Sequence, residues 1–290
     1  MLKIRSLESL GILFAIFAYF SFSLLDAVQK TAIIYHSVFQ ILFVKYIFVL
    51  FLSFVESRRK KNYLFYKSNN LKLQILRGIL SIIESGFFIL AFRYLSLADA
   101  HSVGALTPVI VVALSAIILR EHVSVKVWIA IFTGFIGVLI IMRPGLSIFD
   151  YKSLLPLAGA FFLSFYQIVT RKVSISDSNE TSLFYNSLVG IILLAFLAFQ
   201  YWQPLNFNSY FLFIGVGVFF SFGLYFQIIA LSFAKASTIQ PFHYTLIFWA
   251  IILGYIFYDD LPDIFTLFGA LIITISGIYV LNKRSIDVKK

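Results

Sequence analysis

Cysteine is absent from this chain, and only 12% of its 290 residues are charged. Without cysteine there can be neither a disulfide framework nor a thiolate metal site. The phosphate-binding pattern GxxxxGK does not occur either, which excludes nucleotide hydrolysis by a P-loop. Because 61% of the residues are hydrophobic, the polar residues are too few to cover a water-soluble core. The composition therefore indicates a membrane protein.

The sequence gives little support for a metal site, an enzymatic activity or nucleic-acid binding. The four histidines include no pair with the spacing of a metal site on one helical face. We therefore expect no metal and no cofactor. No nucleophile or carboxylate pair has a spacing typical of catalysis, so we predict that the protein is not an enzyme. The formal charge is +10, but the basic residues are concentrated in loops. We predict no nucleic-acid partner.

Ten apolar stretches are present, and about 20 such residues cross the hydrocarbon layer as a helix. We predict an all-α membrane protein with ten transmembrane helices. Their predicted ranges are 7–29, 36–56, 72–95, 100–119, 125–142, 153–171, 181–201, 209–232, 238–258 and 263–281.

Short matching motifs indicate an internal repeat. The sequence LSLADA at 95–100 matches LSFAKA at 231–236, and REHVS at 120–124 corresponds to YDDLP at 258–262. The two pairs have nearly the same separation, which is a little less than half the length of the chain. Each repeat contains five predicted helices, so the second repeat enters the membrane in the opposite sense. The pattern predicts two inverted five-helix repeats.

The boundary between the repeats falls near the middle of the chain. We assign 1–147 to the first repeat and 148–290 to the second. In this alignment Lys30 corresponds to Lys172. Two inverted halves are suited to alternating access, in which rocking motions expose a central site to each side of the membrane in turn.

The distribution of Lys and Arg predicts the orientation. Of 23 such residues, Lys30, Arg93, Arg143 and Lys152 lie opposite the amino terminus, and Lys45 lies within a predicted helix. The other eighteen lie on the side of the amino terminus. By the positive-inside rule, both termini are expected in the cytoplasm. We predict a multi-pass protein of the bacterial inner membrane.

The longest loop, 56–72, is basic and interleaved with aromatic residues. Such a stretch suits either nucleic acid or anionic lipid headgroups. Because the loop joins two membrane helices, we predict that its partner is lipid. The sequence leaves a homodimer open.

Two charged residues are predicted near the bilayer midplane. Lys45 lies in the second predicted helix and Glu84 in the third. A charge at that depth costs roughly 2.5 to 3.5 kcal/mol, which favours either a role in the transport path or a static pair that pins two helices. Arg77 shares a helical face with Glu84. It can bind an anionic group or extend to the cytoplasmic headgroups, and the second interpretation is favoured.

The second half carries neutral polar residues at matching depths. Lys45, for example, corresponds to Asn186 of the second repeat. For each polar residue the alternative is helix–helix packing, and for His243 both proton transfer and packing are open. The candidate substrate-binding residues are Lys45, Glu84, Arg77, Tyr166, Gln167, Asn186, Gln227, Gln240, His243 and Tyr244.

Several longer stretches are similar to a known family. They are LRGIL at 76–80, AFRYLSLADA at 91–100, LTPVIVVALSAIILREHVS at 106–124, GFIGVLIIMRPG at 134–145 and FGALIITISGIYVL at 268–281. Through them the chain resembles the EamA-type drug/metabolite transporter superfamily over essentially its whole length. The resemblance implies a ten-helix carrier with two inverted repeats around a central cavity.

Within that superfamily, YLSLADA and PFHYTLIFWA resemble the branch of S-adenosylmethionine and riboflavin uptake proteins, and less closely the aromatic amino acid exporters. The chain departs from the pattern at two positions. His243 stands where many relatives have an acid, and Lys45 where they commonly have arginine.

The sequence thus predicts a secondary transporter of a small organic metabolite. Mixed charge, amides and aromatic rings suit a zwitterionic or cationic amphiphile with a planar ring, such as S-adenosylmethionine, riboflavin or an amino acid. Two alternatives are a flippase for lipid-linked headgroups and a membrane scaffold that transports nothing. The flippase requires a lateral opening between helices, and the scaffold requires polar residues packed without a cavity.

Overall fold

The protein is described by a computed structural model that covers residues 2–120, 124–142 and 151–260. Beyond these it covers 263–265, 267–269, 271–272 and 275–276. The described residues are helical and contain no strand. The helices are α1 (Leu2–Tyr35), α2 (Val38–Arg59), α3 (Leu71–Tyr94), α4 (Leu97–Gly104), α5 (Thr107–Ile118), α6 (Val125–Met142), α7 (Leu154–Val173), α8 (Asn179–Gln200), α9 (Phe207–Phe233), α10 (Ala236–His243) and α11 (Thr245–Tyr258).

Eight segments of the described chain are long and apolar enough to cross a membrane. The chain is therefore a multi-pass membrane protein. The eight segments are Leu7–Tyr35, Val38–Arg59, Leu71–Tyr94, Leu97–Ile118, Tyr151–Val173, Asn179–Gln200, Phe207–Phe233 and Ala236–Tyr258.

Two predicted spans are not among these eight. The fifth, 125–142, is the helix α6, but its apolar part, Trp128–Gly137, is shorter than the other spans. Most of the tenth, 263–281, lies outside the described residues. The count of ten helices is therefore not confirmed and stays a prediction.

Two predicted helices, 100–119 and 238–258, are each broken into two. The first ends at Gly104 and resumes at Thr107, with Pro108 in the first turn of α5. The second ends at His243 and resumes at Thr245, with Pro241 inside α10. Proline interrupts helices because it lacks the backbone N–H donor and crowds the preceding turn. The breaks at Leu106 and Tyr244 have the same separation along the chain as the REHVS and YDDLP motifs, so they stand at corresponding positions of the repeat.

Contacts between the two halves of the chain come in exchangeable pairs. Helix α1 packs against α9, and its counterpart α7 packs against α3. Similarly, α4 packs against α11, and α10 against α5. Helices α2 and α8, which correspond to each other, pack together. For these pairs, exchanging each helix for its counterpart in the other half thus gives the same set of contacts.

A pair of cation–carbonyl contacts repeats this pattern in atomic detail. The amine of Lys30 donates to the carbonyl of Leu95 at 3.0 Å. In the other half, the guanidinium of Arg171 donates to the carbonyl of Leu231 at 2.7 Å. The two leucines begin the matching LSLADA and LSFAKA motifs. The prediction that Lys172 is the counterpart of Lys30 was therefore wrong by one residue, since Arg171 makes the equivalent contact.

Close approach between α2 and α9 depends on Gly217. A methyl group at this position would overlap the ring of Phe48. Small residues allow helices in a membrane to approach closely, and here the ring of half-buried Phe48 lies over the backbone of Gly217. Gly217 therefore allows the observed close packing of α2 on α9.

Gly217→Ala should lower stability by about 1 to 3 kcal/mol through overpacking. The measurement is thermal unfolding of the purified protein in detergent. Gly215→Ala is the matched control, because its added methyl would lie 3.4 Å from Val28, at ordinary contact distance. The double variant Gly217→Ala/Phe48→Ala removes the overlapping ring and should unfold less readily than Gly217→Ala alone. Equal unfolding of the Gly215 and Gly217 variants would contradict the prediction.

Candidate functional site

A cavity lies where the two halves of the bundle meet. Its empty volume is about 680 Å³, including space open to solvent. Concave sites that combine apolar side chains with a few polar groups are typical of ligand binding. Helices of both halves supply its wall, namely α1, α2, α3 and α4 from the first and α7, α9, α10 and α11 from the second.

Acidic side chains reach the cavity from two helices of the first half. Glu84 on α3 lies in the wall and accepts a hydrogen bond from the hydroxyl of Ser85 at 2.7 Å. Asp26 on α1 is buried, and its Oδ2 lies 3.0 Å from Nε2 of His101 on α4. Ionisable groups at membrane depth are costly and usually mark a substrate or ion pathway. The first half thus gives the cavity two carboxylates.

Lys45 on α2 is the cationic member of the wall, and only 1% of its surface is exposed. Its amine lies 4.1 Å from the centre of the Phe220 ring, at a cation–π distance. Glu84 and Asp26 are near enough to attract it electrostatically. Within the described chain, however, no carboxylate comes within 4 Å of the amine. The predicted pair Lys45–Glu84 is thus not a contact ion pair.

The second half lines the cavity with neutral polar groups. Tyr166 and Gln167 come from α7, Gln227 from α9 and His243 from α10. The ring of His243 lies edge-on to Tyr19, with 5.2 Å between ring centres. These groups offer hydrogen bonds without a fixed charge, whereas the first half offers the charges.

Aromatic rings cover much of the remaining wall. Phe22, Phe88 and Phe220 all face the cavity. Aromatic faces bind planar rings by stacking and organic cations through the ring quadrupole. The cavity can therefore hold a molecule that combines an aromatic ring with a charged group.

Six of the ten predicted site residues line the cavity, and the other four do not. Gln240 is one helix turn from the wall and donates to Gln167 at 2.6 Å. Tyr244 points its hydroxyl toward Gly134, where an added Cβ would lie 2.8 Å away. Asn186 is buried near Tyr166.

Arg77 is also outside the wall of the cavity. It is fully buried, and its guanidinium donates to the carbonyl of Ser182 on α8. The favoured prediction for Arg77, that it extends to the membrane surface, was therefore wrong. The carbonyl of Ser182 and the ring of Tyr166, whose centre lies 5.8 Å from the guanidinium carbon, hold it inside the bundle.

Asp26 and His101 line the cavity but were not among the residues predicted from the sequence. Asp26 is a carboxylate within an apolar stretch, and that signal alone marks a candidate residue. His101 falls at the very start of the predicted span 100–119, where a polar residue is not unusual. In the structure α4 begins at Leu97, so His101 lies inside the helix and faces Asp26.

A polar cluster links helices at one end of the bundle. Glu56 on α2 accepts a hydrogen bond from Tyr225 at 2.7 Å and lies 3.4 Å from the amine of Lys60. Lys60 also contacts Glu180 at the start of α8, at 2.5 Å. The cluster links α2, α8 and α9. Two basic residues of the 56–72 loop, Arg59 and Lys60, are thus engaged within the protein, and the interaction of this loop with lipid stays a prediction.

A smaller polar group links helices at the opposite end. Lys30 lies 3.2 Å from Oδ2 of Asp260. The hydroxyls of Thr31 and Tyr258 are 2.7 Å apart, and Tyr258 donates to the carbonyl of Ala27. These contacts join the end of α1 to the end of α11. The cavity therefore lies between two sets of polar contacts, one at each end.

No group of three or more acidic or histidine side chains in the described residues could hold a metal ion. The chemistry available in the cavity consists of charge attraction, hydrogen bonding and ring contacts. This suits reversible binding of an organic molecule.

Comparison with known proteins agrees with the resemblance found in the sequence. The model of the EamA-like transporter family matches the chain twice, at residues 9–143 and 152–282. A solved crystal structure has the same fold, with a TM-score of 0.73 at 14% sequence identity. That match covers 97% of this chain and 98% of the other.

Curated relatives are similar over most of their length. The S-adenosylmethionine uptake transporter of Rickettsia prowazekii is 26% identical over 233 residues, covering 78% of this chain and 79% of that protein. The riboflavin transporter of Vibrio cholerae is 30% identical over 208 residues, covering 71% and 70%. The pseudopaline exporter of Pseudomonas aeruginosa is 23% identical over 270 residues, covering 92% and 94%.

Proposed function

Because the chain belongs to the EamA-like transporter family, we propose that it is a secondary transporter of a small organic metabolite. The observation that carries this proposal is the central cavity, which combines carboxylates, an amine, amides and aromatic rings inside a membrane bundle. Buried charges at this depth are too costly to be kept without a partner or a function.

The charges of the cavity favour a cationic or zwitterionic substrate. The wall contains two carboxylates, Asp26 and Glu84, and one amine, that of Lys45. It therefore attracts a positively charged group of the substrate. Phe22, Phe88 and Phe220 then supply stacking surfaces for a planar ring. Among the metabolites named for the relatives, S-adenosylmethionine and riboflavin both contain such a ring and are the first candidates to test.

We propose that transport proceeds by alternating access of two inverted repeats. Support comes from the exchangeable packing of the two halves and from the helix breaks at Leu106 and Tyr244. Broken helices at corresponding positions of two repeats are a feature of transporter binding sites. The polar clusters at the two ends would then open in turn.

The boundaries 1–147 and 148–290 for the two repeats belong to this proposal, and so does the ten-helix architecture. The excess of Lys and Arg on the side of the amino terminus supports a bacterial inner membrane location with both termini in the cytoplasm. The cavity argues against a scaffold, because a scaffold needs no space between its polar groups.

Transport can be tested directly with the purified protein in lipid vesicles. Vesicles that contain the protein should take up radiolabelled S-adenosylmethionine, riboflavin or an aromatic amino acid faster than empty vesicles. Preloading with the unlabelled compound should accelerate uptake, as expected for a carrier that exchanges substrate. If a broad panel of metabolites, including these three, neither entered the vesicles nor raised the melting temperature, the proposal would fail.

A further inference from the structure

A second buried polar site lies next to the cavity, around Arg77. The guanidinium donates to the carbonyl of Ser182, but its Nε and Nη1 atoms have no hydrogen-bond partner among the described residues. No carboxylate of the described chain lies within 4 Å of it. A buried positive charge without a counter-charge is strongly disfavoured.

The nearest acid is already engaged elsewhere. Asp177 attracts Arg77 only at longer range. Its carboxylate accepts hydrogen bonds from the side chain of Gln74 and the backbone N–H of Asn69, both at 2.8 Å. Asp177 thus has its own donors, and the charge of Arg77 remains available to a ligand.

Other polar atoms around the guanidinium are also without partners in hydrogen-bonding geometry within the described chain. They are the hydroxyls of Tyr166 and Thr170 and both amide atoms of Asn186. Thr170, Asn186 and Arg77 each lie close enough to Tyr166 to interact with its hydroxyl, but none of these contacts has the distance and angles of a formed hydrogen bond. Each of the three is at most 2% exposed. A guanidinium surrounded by unpaired hydroxyl and amide donors is the arrangement that binds a carboxylate.

This second site is adjacent to the cavity. Tyr166 belongs to both, since it also lines the cavity wall. Ser81, another residue of the wall, lies four positions after Arg77 and therefore one turn away on the same face of α3. Tyr166 therefore joins the cavity to the surroundings of Arg77.

We propose that Arg77, Thr170 and Asn186, together with Tyr166, form an anion subsite that binds the carboxylate of the transported metabolite. This inference rests on the proposed transport function. Glu84 lies two turns from Arg77 on α3, which corresponds to about 10 Å along the helix axis. The substrate is then an extended zwitterion, with its cationic group near Glu84 and its carboxylate at Arg77.

The first experiment measures anion binding without transport. The melting temperature of the purified protein is followed during titration with sodium acetate, against sodium chloride at equal ionic strength. The parent should be stabilised by acetate in a saturable manner. Arg77→Gln should lose this response or require about tenfold more acetate or higher, because a charge-assisted hydrogen bond is lost.

Asn186→Asp is the second variant. It keeps Arg77 and tests the same site in case Arg77→Gln does not fold. Asn186 lies one turn from Ser182 on the same face of α8, so the new carboxylate stands beside the guanidinium and mimics the ligand. This variant should fold and should no longer respond to acetate. Arg93→Gln is the control, because Arg93 is exposed on the same helix as Arg77, and its acetate response should equal that of the parent. An unresponsive parent, or equal responses in all variants, would overturn the proposal.

The second experiment distinguishes a carboxylate on the substrate from a free anion. In vesicles that transport a metabolite, acetate should compete and raise the half-saturating metabolite concentration for the parent, and Asn186→Asp should show a raised half-saturating concentration even without acetate, because its own carboxylate occupies the subsite. Acetate binding without competition would overturn the assignment of the subsite to the substrate. If the protein transports a metabolite but does not bind acetate, the proposed subsite is wrong. The proposed transport function is unaffected by that result.

Discussion

Glu84→Gln is expected to abolish uptake of a cationic or zwitterionic metabolite at low concentration while leaving the protein inserted in the membrane. The substitution keeps the shape of the side chain and removes the charge that would face the cationic group of the substrate. Hydrogen bonds to charged groups contribute about 1.5 to 3 kcal/mol, so the half-saturating concentration should rise by roughly 10- to 100-fold. The measurement is initial uptake into vesicles at several metabolite concentrations.

Asp259→Asn is the matched control for this substitution. Asp259 is exposed and has a left-handed backbone conformation with φ 52°, which asparagine also adopts. This variant should transport at the parental rate. Parental kinetics for a correctly inserted Glu84→Gln would contradict the role of Glu84.

The double variant Glu84→Gln/Lys45→Met separates substrate binding from static helix pairing. If the two charges only compensate each other, removing both should restore activity, since replacing a buried charge pair by neutral side chains is often tolerated. If they bind the substrate, the double variant should be no more active than Glu84→Gln. We expect the second result, because no carboxylate among the described residues contacts the Lys45 amine.

Cross-linking the polar contacts at either end of the bundle should stop transport completely. The native chain contains no cysteine, so the pair Lys60→Cys/Glu180→Cys introduces the only two thiols. A short bifunctional thiosulfonate should join them, and a reducing agent should then restore the starting rate. The pair Lys30→Cys/Asp260→Cys allows the same cross-link at the opposite end.

Alternating access requires that either cross-link inhibits transport, because each end must open once in every cycle. Single-cysteine variants treated with the same reagent show the effect of modification alone. Full transport by a protein whose cross-link is complete, as judged by mass spectrometry, would rule out opening at that end.

Hydropathy located the eight observed spans because about 20 apolar residues are needed to cross the bilayer. It could not locate the helix breaks, since both parts of a broken helix are apolar. Pro108 and Pro241 carried the missing signal, and they stand near corresponding positions of the two repeats. The motif spacing predicted the correspondence of the two halves. It did not predict that the two prolines interrupt the helices.

The candidate site was predictable in part. Charges within apolar stretches identified Lys45 and Glu84, and the same rule applied to Asp26 would have added it. The burial of Arg77 could not be read from its position, because it depends on the carbonyl of Ser182 and on Tyr166, both of which belong to the other half of the chain. Contacts between distant segments decide whether a long cationic side chain extends to water or remains inside.

The equivalent contacts of Lys30 with Leu95 and of Arg171 with Leu231 bear on the two end states of the proposed transport cycle. Each joins a cation on one helix to a carbonyl on another helix of the same half, at 3.0 Å and 2.7 Å. The contacts differ in one respect, because Lys30 also lies 3.2 Å from Asp260, whereas Arg171 contacts a second carbonyl, that of Ser232. If the halves exchange roles during transport, we therefore expect the ionic contacts at the two ends of the bundle to change with them.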